Sequence, residues 1–244
     1  RGNGQATVNV KAPTGVTAQS ITGYQYNLNN GALWKPVTLA NGSFTISGLT
    51  NGSNYAVQIR AVNVNGLSGL SGKVSVTPMT TAGPTTIQSV KSLNGGLAVT
   101  FGGVAIDNGG SVAKNYQYSL DGGSTWADCN PVVKLSPLMT IKGLTNGTTY
   151  QVAIRMVNAV GPGAASNVIA GTPMTTPSAP VVSNASVSKT TATLTLGPSA
   201  NGGSPITGYA YSLDNKSWAA VTPVAGQFTV SGLAAFKSYK IYVR

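Results

Sequence analysis

Three tryptophans, Trp34, Trp126 and Trp218, stand 92 residues apart, and each closes a segment of the same wording. Residues 21–34 read ITGYQYNLNNGALW, residues 113–126 AKNYQYSLDGGSTW and residues 206–218 ITGYAYSLDNKSW, so two tyrosines one residue apart precede a turn and a tryptophan each time. A second block follows each: SGLTNGSNYAVQIR ends at Arg60, KGLTNGTTYQVAIR at Arg155 and SGLAAFKSYKIYVR at Arg244. Those intervals are 95 and 89 residues, so the connecting loops vary while the elements persist. A period this long exceeds that of helical solenoids and fits one small all-β body per repeat, with turn signals every 8 to 12 residues.

The strands follow from alternation. In the middle repeat, 86–92, 97–101, 115–120, 138–142, 150–158 and 165–170 carry alternating or β-branched apolar residues, with Asn-Gly and Gly-Gly pairs between several of them. No window sustains apolar residues at helical spacing, so no helix is expected. Successive residues of a strand point to opposite faces, which sets Tyr150, Val152, Ile154 and Met156 toward a core and Gln151, Ala153 and Arg155 away from it. The same register applies to Tyr55, Val57, Ile59 and Ala61, and to Tyr239, Ile241 and Val243. A leucine six residues before each of these tyrosines (Leu49, Leu144, Leu233) points to a corner in which the Tyr hydroxyl bonds to upstream backbone.

The tryptophan before the middle of each repeat, the Leu…Tyr corner at 143–150, the Arg-x-Val-Asn after it (60–63 and 155–158) and the Thr-Pro exits together resemble tandem fibronectin type III domains across the whole chain. The wording is most similar to repeats of bacterial surface and secreted proteins and of structural proteins of large DNA viruses. The resemblance implies an all-β chain of immunoglobulin-like β-sandwiches arranged end to end. The tryptophan departs from the family pattern: it follows the Tyr-x-Tyr hairpin, in the position of a short edge strand, instead of lying in an early strand, which leaves its packing partner open. The segments TPMTTAGP (77–84) and TPMTTP (172–177) mark the linkers, giving domains 1–79, 80–174 and 175–244. Proline fixes φ and removes a ladder donor, so each linker is expected to be short and extended, and the array rod-like. Set against the middle repeat, the first lacks its first strand and the third its last. The expectation is a window onto a longer chain of repeats, with a strand donated by a neighbour as the competing explanation.

Composition limits the chemistry. Histidine and glutamate are absent, the four acids are Asp107, Asp121, Asp128 and Asp214, and Cys129 is the only thiol. The usual general bases, paired carboxylates and metal cages are missing, so the chain is expected not to be an enzyme, and no catalytic, cofactor-binding or metal-ligating residue is assigned. Residues 107–111 and 121–124 each offer one carboxylate among Asn, Gly and Ser, which suits turns better than calcium. A formal net charge of +11 favours anionic surfaces. The cations are scattered singly, however, so no specific nucleic-acid recognition is expected. No run of 18 apolar residues reads as a membrane span. Cys129 reads as a structural thiol, and Asn41, Asn51, Asn146, Asn184 and Asn215 begin sequons that turn chemistry alone explains. There is no Arg-Gly-Asp.

The aromatic residues Trp34, Trp126, Trp218, Tyr116 and Tyr209 are the candidate interaction residues, as a platform for sugar or peptide. Same-face spacing of each tyrosine pair supports that platform only weakly and fits core packing better. The functional expectation is a non-catalytic structural and interaction module, a spacer, cement or attachment element of a virion-associated, extracellular or cell-surface protein. Its expected partners are other subunits of a larger assembly, homo-oligomeric ones included, or an anionic surface or glycan. Two other readings are a spacer region of a secreted polysaccharide-degrading enzyme and a glycan- or receptor-binding adhesin.

Overall fold

The computed structural model describes residues 2–12, 21–102, 107–129 and 138–244. Every regular element among them is a strand. The first repeat holds β1 (Ala6–Asn9), β2 (Gly23–Leu28), β3 (Lys35–Val37), β4 (Ser43–Ile46), β5 (Tyr55–Asn63), β6 (Gly66–Leu67) and β7 (Val74–Val76). The second holds β8 (Ile87–Leu93), β9 (Gly96–Phe101), β10 (Asn115–Ser119), β11 (Ala127–Asp128), β12 (Leu138–Lys142), β13 (Tyr150–Val157) and β14 (Ile169–Gly171). The third holds β15 (Val181–Ser188), β16 (Thr191–Gly197), β17 (Tyr209–Ser212), β18 (Ala219–Val221), β19 (Gln227–Val230) and β20 (Tyr242–Val243).

Each repeat forms two separate sheets. In the first, β1 pairs with β4, while β3, β2, β5 and β6 run side by side and β7 joins β5. In the second, β12-β9-β8 stands apart from β11-β10-β13-β14; in the third, β15-β16-β19 stands apart from β18-β17-β20. The apolar faces turn inward. Ala6, Val8, Phe44 and Ile46 of one sheet meet Val57 of the other, with Tyr26, Leu28 and Ile59 packed against them. Ala192, Leu194, Phe228 and Val230 form the equivalent cluster with Tyr211 and Val243. This is two-layered sheet packing, in which alternate residues fill the interior. On β13 Val152 and Ile154 are at 0% and Met156 at 4% exposure, as the alternation sets them, but Ala153, expected to face away from the core, is also 0% exposed. Gln151 is exposed and Arg155 half-buried.

The corner is present in all three copies. The backbone N–H of Thr50 donates to the Tyr55 hydroxyl at 2.9 Å, Thr145 to Tyr150 at 3.1 Å, and Ala234 to Tyr239 at 2.9 Å. That bond holds the Tyr55 phenol below its usual pKa.

One expected strand needs correction. The strand expected at 165–170 is only Ile169–Gly171, because side chains take over its ladder. The Ser166 Oγ accepts the Ile154 N–H at 3.0 Å. The Asn167 amide then accepts from the Ile87 N–H at 2.8 Å and donates to the Ile87 carbonyl at 3.1 Å. The short strand β11 directly follows Trp126, at the edge of its sheet, where the sequence places a short edge strand.

Contacts divide the chain into two compact units. One comprises Arg1–Gln88, Phe101–Pro137 and Val152–Val168; the other comprises Ser89–Thr100, Leu138–Gln151 and Ile169–Arg244. The boundary passes within the second repeat, so the sequence boundary at 79/80 lies inside the first unit and that at 174/175 inside the second.

Candidate interaction surface

The outward face of the β2-β5 type sheet carries the same constellation three times. Gln25 of β2 stands opposite Arg60 of β5 and Pro36 of β3, and Trp34 precedes that edge strand with the same parity. All four side chains therefore leave on one face, while Tyr24 and Tyr26 leave on the other. The Arg60 guanidinium lies over the Trp34 ring, 4.1 Å from its centroid. It donates through Nε and Nη2 to the Gln25 Oε1 at 2.9 and 2.7 Å. In the second repeat Arg155 covers Trp126 at 4.2 Å and donates through Nε to the Gln117 Oε1 at 2.7 Å. Gln117 in turn donates to the Asp128 Oδ1 at 2.9 Å. In the third, Arg244 covers Trp218 at 4.1 Å, but the residue facing it is Ala210, so the amide is missing.

These stacks locate the sequence candidates. Trp34, Trp126 and Trp218 are half-buried on the outer sheet face, each with one ring face occupied by its arginine. Tyr209 is half-buried as well, but it stands one residue from Ala210, which faces Arg244, and so leaves on the opposite face of the sheet from Trp218. Tyr116 does not share that surface: it is 3% exposed and its ring centre lies 5.1 Å from that of Phe101, in the core. Its place follows from parity, because it stands on β10 one residue from outward-facing Gln117. The arginines were the missed residues. Their signal was available: each stands five residues after the corner tyrosine, and in the first two repeats opposite a glutamine between two tyrosines.

Three of the four acidic side chains, Asp107, Asp121 and Asp214, are engaged in turns. The Asp121 Oδ1 accepts from the Ser119 hydroxyl at 2.7 Å and from the Thr125 N–H at 2.9 Å, and its Oδ2 accepts from the Thr125 hydroxyl at 2.6 Å. Asp214 accepts from the Ser217 and Lys216 N–H groups at 2.7 and 2.8 Å. Hydrogen bonds to the charged form hold both carboxyls far below the usual carboxylate range. Asp107 accepts from the Gly109 N–H at 2.9 Å, a turn closed by its own side chain. Among the described residues no three His, Cys, Asp or Glu side chains gather to hold a metal. Cys129 is 5% exposed, and burial, with the Asp128 charge added, pushes its thiol up to about 12. A cleft of about 710 Å³ opens in the first repeat between β1, β5 and the segment Ser68–Val74, lined by Val8, Tyr24, Ile59 and Leu70 among others. No helix among the described residues is long and apolar enough to cross a membrane.

A second recurring contact lies where one repeat meets the next. The Gly52 N–H donates to the Pro78 carbonyl at 2.9 Å, and the Thr80 N–H to the Gly109 carbonyl at 2.9 Å. At the next joint the Gly147 N–H donates to Pro173 at 2.9 Å, and the Thr175 N–H to Gly202 at 2.8 Å. Asn158, 2% exposed, braces the first joint by donating to the Thr80 and Asn108 carbonyls at 2.8 and 2.9 Å. Side-chain bulk is absent at the point of closest approach: a Cβ on Gly110 would collide with the Gly52 nitrogen, and one on Gly203 with the Gly147 nitrogen.

No family model matches the sequence. A stretch of 77 residues, 32% of the chain, is 38% identical to a Kelch domain-containing protein of Sulfurisphaera tokodaii. The matched region is 11% of that protein's length. Among solved structures, the FN1–FN3 domains of chicken CNTN1 align over 99% of this chain and 88% of theirs, with 16% sequence identity and a TM-score of 0.34.

Proposed function

We propose that the chain is a non-catalytic interaction module, a series of fibronectin type III-like β-sandwiches set end to end that spaces or attaches other protein subunits of a larger extracellular, cell-surface or virion-associated assembly. The observation that carries the reading is the joint. It occurs twice with the same donors and acceptors, and it ties main chain to main chain, a device that restricts bending where a flexible tether would leave the linker free. The residue inventory supports a non-catalytic role. Without histidine or glutamate, and with Asp121 and Asp214 committed to turn N–H groups, the chain offers little for proton transfer. The excess of cations over a lightly charged surface favours anionic faces on those partners.

The test is a distance measurement across the whole chain. Spin labels at Thr38→Cys and Ala220→Cys, both exposed positions, report the separation of the first and third repeats, while the buried Cys129 thiol resists labelling. A narrow, single distance distribution supports the spacer. A broad one overturns it.

A further inference from the structure

The corner that receives the next repeat is not the same in all three copies. In the first two it reads Thr-Asn-Gly, at 50–52 and 145–147; in the third it reads Ala234-Ala235-Phe236. Two of the three changed positions, the asparagine and the glycine, lie against the joint. Asn51 braces its corner by accepting from the Gly4 N–H at 2.9 Å and donating to the Asn3 Oδ1 at 2.7 Å. Asn146 repeats the pattern with Gly95 and Asn94, both at 2.9 Å. In the third repeat those asparagines are replaced by Ala235 and Lys189. The glycines have left-handed φ, +80° at Gly52 and +83° at Gly147, and they receive Gly-Gly turns whose own φ values are also positive. Phe236 keeps that backbone, with φ +58°, a conformation disfavoured for a residue bearing Cβ. Its side chain is fully exposed.

We propose that this corner selects what adjoins it: the Asn-Gly form takes a repeat of this chain's own kind, recognised by the Asn-Gly-Gly turn before its Tyr-x-Tyr strand, and the Ala-Phe form of the third repeat refuses such a repeat. The steric case comes from the two joints. A Cβ on Gly52 meets the Gly110 Cα at 3.0 Å, and one on Gly147 meets the Gly203 Cα at 3.2 Å. Both neighbours are backbone and cannot rotate away. A single methylene strains the fit, and a phenyl ring fills the space that the Gly-Gly turn occupies. The turn is equally particular. Asn108 and Asn201 each accept the N–H of the second glycine at 2.9 Å, and a Cβ on Gly109 or Gly202 would strike the Thr80 or Thr175 carbonyl. Recognition is therefore a match between two glycine-lined backbones, and one aromatic side chain cancels it.

The inference rests on the tandem reading, and the experiment separates the two. In the full chain, Gly147→Phe reproduces the third corner inside an existing joint, and amide exchange is followed at Gly147 and Thr175. Exchange there should accelerate by roughly tenfold or more, as expected when a local contact opens without global unfolding. The Gly52 and Thr80 amides of the other joint should be unchanged. Gly143→Ala is the control: its φ is +78°, so it carries the same backbone strain, yet a Cβ there meets nothing within 4 Å. It should leave Gly147 and Thr175 protected. Gly203→Ala approaches the joint from the opposite side and should act like Gly147→Phe. Undisturbed protection in Gly147→Phe, or equal loss in Gly143→Ala, overturns the selectivity while leaving the distance test of the spacer intact.

Discussion

Replacing each stacked arginine by methionine keeps the apolar stem and removes the cation, so the three repeats become a graded experiment. At Arg155 two contributions are lost. A cation over a half-buried Trp126 ring contributes about 1 kcal/mol. The charged hydrogen bond to Gln117, on a part-buried sheet face, contributes about 1 kcal/mol more after exchange with water. Arg155→Met and Arg60→Met should therefore each cost about 2 kcal/mol, roughly a thirtyfold change in the unfolding equilibrium. At Arg244 the opposing residue is Ala210, so Arg244→Met should cost only about 1 kcal/mol, roughly fivefold. The assay is urea denaturation of single-tryptophan variants, in which the remaining tryptophan reports the repeat whose arginine is altered. Its emission should also move to longer wavelength as the ring face meets water. Equal losses at all three arginines would remove the glutamine from the account. A loss within about 0.3 kcal/mol of zero at Arg155 would remove the stack itself, since that is the scatter of independent sites.

The corner and turn residues give two further expectations. Tyr55→Phe, Tyr150→Phe and Tyr239→Phe each delete an acceptor from an exposed N–H that water re-solvates, so each should cost about 1 kcal/mol, measured by thermal unfolding as a fall of several degrees. No change in any of the three would refute the corner's role. Asp121 and Asp214 have folded pKa values lowered from 3.8, so their contribution is present above that value and is lost as pH falls below it. Acid unfolding should begin below about pH 4, and Asp121→Asn with Asp214→Asn should flatten the pH dependence there.

Local periodicity carried the strands and their faces. Tyr150, Val152, Ile154 and Met156 alternate with Gln151, Ala153 and Arg155, and a period of two is a property of one strand alone. The corner was readable for the same reason, since Leu144 and Tyr150 lie six residues apart in one chain segment. The stacks needed more. That Arg155 and Trp126 leave on one face depends on the register of β13, β10 and β11, and pairing partners are not encoded in the alternation of any one of them. Tyr116 shows the ambiguity directly: two tyrosines on a shared face allow a binding platform as well as a core, and only the position of Phe101 decides. The joints were hidden more deeply. Gly109-Gly110 and Gly202-Gly203 satisfy every requirement of an ordinary turn, and their second role appears only when Gly52 and Gly147, dozens of residues upstream, are brought against them.

A coupling assembled from peptide groups and bare glycines makes few demands on the side chains around it. The flanks of each sandwich are left at liberty to change their charge or their aromatic content without disturbing the joints. A lineage can thus alter what the outer faces touch while each joint keeps its form, and a lone phenylalanine at one corner changes what that corner can receive.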